Sequence, residues 1–136
     1  MKSIVTLILF LSLNRVFGQT DKEHPIDIEL ETCLSYSENQ TTIGMTQCVV
    51  RAIEKWDKEL NTKYQLLLNL LTDEQKVKLR NAQRQWLAFR DKEIEFSNQL
   101  YTDMQGTMWG IVAAQTKLEL TRQRTLELTK YISNLN

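Results

Sequence analysis

Apolar residues recur at steps of three and four along most of this chain, and after its first stretch they never alternate as in a half-buried strand. From about residue 43 to 70, Met45, Val49, Ala52, Trp56, Leu60, Tyr64, Leu67 and Leu71 form one stripe, widened by Cys48 and Ile53. Thr72-Asp73-Glu74-Gln75 then reads as a capping box whose acidic first turn suits the helix dipole. The helix it opens carries the stripe Leu79, Ala82, Trp86, Phe89, Glu93, Phe96 and Leu100. Met104, Gly106, Thr107 and Gly110 mark a break. A third helix follows from about 108 to 133, with Trp109, Val112, Ala113, Leu120, Leu128, Tyr131 and Leu135 turned toward the core. Three such helices with short connections predict an all-α fold, an elongated three-helix up-down-up bundle with each helix about 40 Å long. Long two-helix or coiled-coil oligomers would use the same stripes. A short extra helix is expected over residues 27 to 36.

The two ends of the chain read differently. Lys2 followed by the apolar run Ile4 to Leu13, with Val16 and Gly18 at cleavage positions, predicts a signal peptide over residues 1–18 and a mature start at Gln19. The run is too short to span a bilayer as a helix; the other reading of it is a retained N-terminal anchor. Either way the chain is expected outside the cytoplasm, secreted or periplasmic. Without Lys2 and Arg15 the remainder carries a small acidic excess, which argues against general nucleic-acid binding.

That excess is concentrated. Asp21, Glu23, Asp27, Glu29, Glu31 and Glu38 stand against Lys22 alone in the leader of residues 19–42, ahead of the helical domain of residues 43–136. The leader reads as solvated and mobile; Asp27, Glu29 and Glu31 could also draw a basic partner. The chain has two cysteines, Cys33 and Cys48. In an oxidising compartment they are expected to bridge, closing a loop of roughly 15 residues worth about 3 kcal/mol on chain-entropy grounds. With one histidine, His24, a four-ligand zinc site is not available.

The stretch LRNAQRQWLAFRD, residues 79 to 91, mixes helical apolar spacing with three arginines. Gln83, Trp86, Arg90 and Glu93 lie along one stripe, and Asp57, Asn61 and Tyr64 along another. A buried carboxylate needs a partner, and arginine's planar fork supplies one. The expected arrangement is a structural polar ladder of Asp57, Asn61, Tyr64, Gln83, Arg84, Arg90, Asp91, Glu93 and Arg122, with Arg124 as a further partner for Glu93. Trp56, Trp86 and Phe89 are expected in the core. The competing reading is a binding surface where Arg84, Arg90 and Trp86 meet a ligand. Catalysis has no support: the single histidine falls in the leader, and no glycine-rich phosphate loop exists. No catalytic residue, metal ligand or cofactor is expected.

The motifs occur in a telling order. Cys33, Met45-Thr46-Gln47-Cys48, the run from Asp57 to Tyr64, Leu79 to Trp86, Phe89-Arg90-Asp91, Gly106-Thr107, and Thr121 to Arg124 with Leu128 together resemble the LprI-like lysozyme-inhibitor N-terminal domain family of exported bacterial proteins. The resemblance covers about residues 33–128. It implies an exported, disulfide-stabilised helical domain that binds and inhibits lysozyme without being an enzyme. It also implies a second cysteine pair in many members; here the matching positions are Ile94 and Thr116, so packing is expected to replace that bridge. The acidic leader and the turn Gln105-Gly106-Thr107 are the surfaces expected to face a protein partner. The alternative is a non-catalytic adaptor or structural module of the cell envelope.

Overall fold

A computed structural model describes residues 23–135; the expected signal peptide and the Gln19 junction lie outside them. The described chain has four helices rather than three: α1 (Pro25–Ser35), α2 (Thr42–Leu70), α3 (Asp73–Thr102) and α4 (Met108–Leu135), with a 3-10 turn, Ser37–Asn39, between the first two. No strand occurs among the described residues.

The additional helix has local causes. His24 caps it, accepting from the Ile26 backbone N–H through Nδ1 at 3.3 Å, and Pro25 occupies the first helical position. Ile26, Leu30 and Cys33 then share one face at spacings of four and three. Ile26 and Leu30 pack on the apolar cluster that holds Val49, Ala52 and Trp56 of α2, and Cys33 is bonded to Cys48 with the two Cα atoms 5.8 Å apart. The short extra helix expected over residues 27 to 36 thus runs Pro25–Ser35 and is docked on α2 rather than standing free in solvent, while Glu29, Glu31 and Glu38 of the leader stay exposed.

Two apolar clusters hold the long helices. One joins Val49, Ala52, Ile53 and Trp56 to Ile111 and Leu118; the other joins Leu60, Leu67 and Leu68 to Leu79, Leu128 and Ile132. Both straddle α2 and α4, which run parallel and close together. α3 returns antiparallel to both and supplies only Leu79 and the half-buried Trp86. At its start the capping box is complete: Thr72 Oγ1 accepts from the Gln75 N–H at 3.4 Å, and Gln75 Oε1 accepts from the Thr72 N–H at 2.9 Å.

The stripe expected on α3 is rotated. Its buried residues are Leu79, Gln83 and Ser97, with Trp86, Arg90 and Ile94 half-buried between them. Phe89 is 53% exposed and Phe96 61% exposed, so neither belongs to the core, and Ala82 and Leu100 are exposed as well. α3 has apolar residues on two faces and one close neighbour; packing selects the face that can approach α4. α4 shows the same effect. Its inward row is Ile111, Leu118, Thr121, Thr125, Leu128 and Ile132, while Tyr131 and Leu135 are exposed and Trp109, Val112 and Leu120 half-buried. Small threonines at this seam let two backbones come together, and Thr125 Oγ1 satisfies itself on the Thr121 carbonyl at 2.8 Å.

Candidate functional site

The residues singled out for the ladder and for partner binding fall in three places. The first is closed. Asp27 of α1 turns its carboxylate inward: Oδ1 accepts from Trp56 Nε1 at 3.2 Å and Oδ2 from Arg122 Nε at 2.8 Å. The His24 ring lies 4.3 Å from the Trp56 ring, and the Arg122 guanidinium lies 5.8 Å above it. Trp56 is fully buried. Asp27 thus ties α1 to α2 and α4 and is not a free partner-binding acid. Arg122 serves this cluster rather than Asp57 or Glu93. Glu29 is likewise engaged, by Lys55 of α2.

The second place is open. α2 presents Asp57, Leu60, Asn61 and Tyr64 along one row, and α3 presents Arg80, Gln83, Arg84, Leu87 and Arg90 along the row opposite. A groove of about 660 Å3 separates them. Rungs cross only near its margins. Arg90 Nη1 donates to Asp57 Oδ1 at 3.2 Å and Nη2 to Asp91 at 3.2 Å, while Lys117 of α4 lies 3.6 Å from the second oxygen of Asp57. Gln83 accepts from Arg124 Nε at 3.0 Å. The guanidinium groups of Arg90 and Arg124 sit 5.3 and 5.9 Å from the Trp86 ring, so that half-buried tryptophan packs on the second apolar cluster and also carries two cations near its ring. Glu93, expected in the ladder, is half-buried at the edge of the α3 row and forms no ion pair with Arg90, Arg122 or Arg124. Sequence reasoning missed Arg80 as a lining residue. It lies four residues before Arg84 and seven before Leu87, a spacing that could have identified it.

The third place is one end of the rod. Gly106, at φ +114°, turns the chain between α3 and α4. Thr107 Oγ1 lies 3.1 Å from Thr42 Oγ1, so the tip is joined to the start of α2. Trp109 Nε1 donates to the Gln105 carbonyl at 2.9 Å, and its ring stacks on Tyr101 at 5.6 Å. The 3-10 turn sits beside this end: a Cβ built on Gly44 would fall 2.6 Å from the Asn39 Cα, and the Asn39 amide donates to the Cys33 carbonyl at 2.8 Å. Tyr36, Ile43, Met104 and Met108 are all exposed here, Ile43 by 73%, with Glu38 and Asp103 among them. Farther along α1, the Glu31 carboxylate pushes the Glu23 carboxyl above its ordinary pKa, helped by partial desolvation and the hydrogen bond between the two acids.

Where the second cysteine pair was expected to be replaced by packing, α3 and α4 are joined by a hydroxyl contact. Ser97 Oγ and Thr116 Oγ1 lie 2.8 Å apart, one turn from Ile94. Among the described residues no cluster of His, Cys, Asp and Glu could hold a metal ion, and no helix is long and apolar enough to cross a membrane.

Fold and surfaces define a small, disulfide-bonded, all-helical protein whose polar residues either brace the helices or line open surface. The chain belongs to the lysozyme inhibitor LprI family, which it matches over residues 33–128. It is also similar to an uncharacterised protein from Burkholderia thailandensis known from a crystal structure. The two are 31% identical, with a TM-score of 0.73, over 78% of this chain and 52% of that one. This chain therefore spans about half the length of that protein. No curated protein matches it significantly.

Proposed function

We propose that this protein is an exported, non-catalytic inhibitor that binds a lysozyme-type muramidase. The observation that carries the reading is the family match over residues 33–128. The arrangement of the Thr42–Thr107 end supports it. An end of the bundle whose turn is tied to the start of α2 and bears exposed apolar side chains suits docking in a substrate cleft. Glu38 and Asp103 at that end, with Glu23 and Glu31 along α1, give the negative charge that speeds encounter with a basic enzyme. Of the acids first considered for this role, Glu29 and Glu31 stay exposed, Glu29 beside Lys55, while Asp27 is held by Trp56 and Arg122. Gln105, Gly106 and Thr107 remain as the tip.

A cell-wall lysis assay tests the proposal. The purified protein should suppress lysis by an animal-type or a bacterial-type lysozyme in proportion to its concentration, saturating near equimolar inhibitor. Unchanged lysis by both enzyme types at large molar excess would sink it.

One observation favours a second reading, an adaptor of the cell envelope. Phe89, Phe96 and Leu100 lie exposed along α3. Contiguous exposed apolar surface marks interaction sites on soluble proteins. On this reading Phe96→Ser would abolish capture of a partner and leave muramidase inhibition intact.

A further inference from the structure

The groove between α2 and α3 is not used by the muramidase reading, and its charge has the opposite sign. Three arginines line it against one carboxylate, Asp57, which Arg90 and Lys117 already share. Arg80 and Arg84 are exposed, face the groove one turn apart, and make neither ion pair nor side-chain hydrogen bond among the described residues. Like charges at this spacing destabilise a helix. Across from them Asn61 and Tyr64 offer an amide and a phenol that are also without side-chain partners. Leu60 and Leu87 supply an apolar floor.

We propose that this groove binds an extended acidic peptide segment whose two carboxylate side chains are two residues apart. The match is dimensional. Arg80 and Arg84 are separated by about 6 Å of helix rise. Alternate side chains of an extended peptide point the same way and repeat at about 6.6 Å. Each guanidinium fork can hold one carboxylate at two points. From Arg80 to Arg90 the groove runs about 15 Å, the length of four or five extended residues. Its volume falls in the usual range for ligand sites, about 300 to 1,000 Å3. Asn61 is placed to bond the peptide backbone. A single phosphate group would leave one of the two forks unused, and the groove has no glycine-rich loop to cradle it.

Fluorescence anisotropy tests this with the full-length protein at low salt. The probe is a labelled pentapeptide, Gly-Glu-Ala-Glu-Gly, with both ends blocked. It should bind saturably. The isomer with adjacent glutamates and the version with both glutamates replaced by glutamine should bind about ten-fold more weakly. R80Q/R84Q should lose the same factor without any fall in melting temperature, because neither arginine holds the fold and their mutual repulsion is relieved. No saturable binding by the parent peptide, equal binding by R80Q/R84Q, or indifference to glutamate spacing overturns the proposal. So does displacement of the peptide by inorganic pyrophosphate at lower concentration than by unlabelled peptide, which would make this a phosphate site. Lysis inhibition measured on R80Q/R84Q separates the two readings: it should persist, since the muramidase surface is elsewhere.

Discussion

The seam between α2 and α4 and the seam between α2 and α3 are built from the same helix and behave in opposite ways. Along the first, α2 offers Val49, Ala52, Trp56 and Leu60, and α4 answers with small or apolar residues, so the backbones close and water is excluded. Along the second, α2 offers Asp57, Asn61 and Tyr64, and α3 answers with arginines. Long charged side chains hold helices apart as they join them, because their heads need water or a partner and their stems need length. The difference teaches that a fraction of a turn around a single helix separates the part that makes the fold from the part free to bind.

Removing Trp56 should be the most damaging change to the closed seam. Trp56→Ala deletes a fully buried ring and leaves the Asp27 carboxylate with Arg122 as its remaining partner, and should cost about 3 to 5 kcal/mol. Trp86→Ala, at the half-buried edge of the open seam, should cost about half as much or less. Urea denaturation of both variants checks the ratio; equal losses would mean that the two seams are equally closed.

Next in size is the Cys33–Cys48 bridge, which fastens α1 to the closed seam. Cys33→Ser should remove about 3 kcal/mol and lower the melting temperature by several degrees. If α1 is held by its own packing through Ile26, Leu30 and the Asp27 cluster, its helical signal survives in the variant below the melting point. Hydrogen exchange at Leu30 reads this directly.

How far these seams were legible in the sequence follows from the same contrast. The α2 stripe was readable because it has one dominant apolar face, and the Thr72 capping box because its signal is local. The bridge followed from compartment and cysteine count. The rows of α3 and α4 were misjudged at Phe89, Phe96, Tyr131 and Leu135 because apolar residues occur on more than one face of each helix. Only the neighbour decides which face is inward. Spacing along each helix places Asp57, Asn61 and Tyr64 opposite arginines, but it does not tell a closed ladder from an open groove, because the distance between two walls more than fifteen residues apart in the chain is set by packing on α4. Nothing local to Asp27 announces Trp56 and Arg122 as its partners, so spacing alone leaves it a leader acid open to solvent or a basic partner.

A smaller effect concerns a flaw inside the closed seam. Thr121 Oγ1 is fully buried without a hydrogen-bond partner. Thr121→Val keeps the shape and removes the unpaired hydroxyl, and should stabilise the protein by about 1 kcal/mol. Calorimetry should show the melting temperature rising by a few degrees. A fall would mean that the hydroxyl is satisfied by a buried water, and that the seam is wetter than its packing implies.

The smallest effect lies outside both seams, on the acidic face of α1. Glu31 raises the pKa of Glu23 in the folded chain, with desolvation, their mutual hydrogen bond and Asp27 adding to it. A carboxyl raised on folding holds its proton more tightly in the folded than in the unfolded state. Its contribution therefore favours folding at acid pH, is fully present below the unfolded carboxylate value, and is lost as pH rises through the higher folded value. At neutral pH the two charges repel. Glu31→Gln should remove that repulsion, bring the Glu23 titration back toward an ordinary glutamate, and flatten this part of the pH dependence. A carboxyl-detected NMR titration of Glu23 in both proteins measures it. A basic partner docked on this face should lower the same pKa and release protons, whereas an acidic peptide in the α2–α3 groove should leave it unmoved, so one titration reports which of the two charged surfaces is occupied.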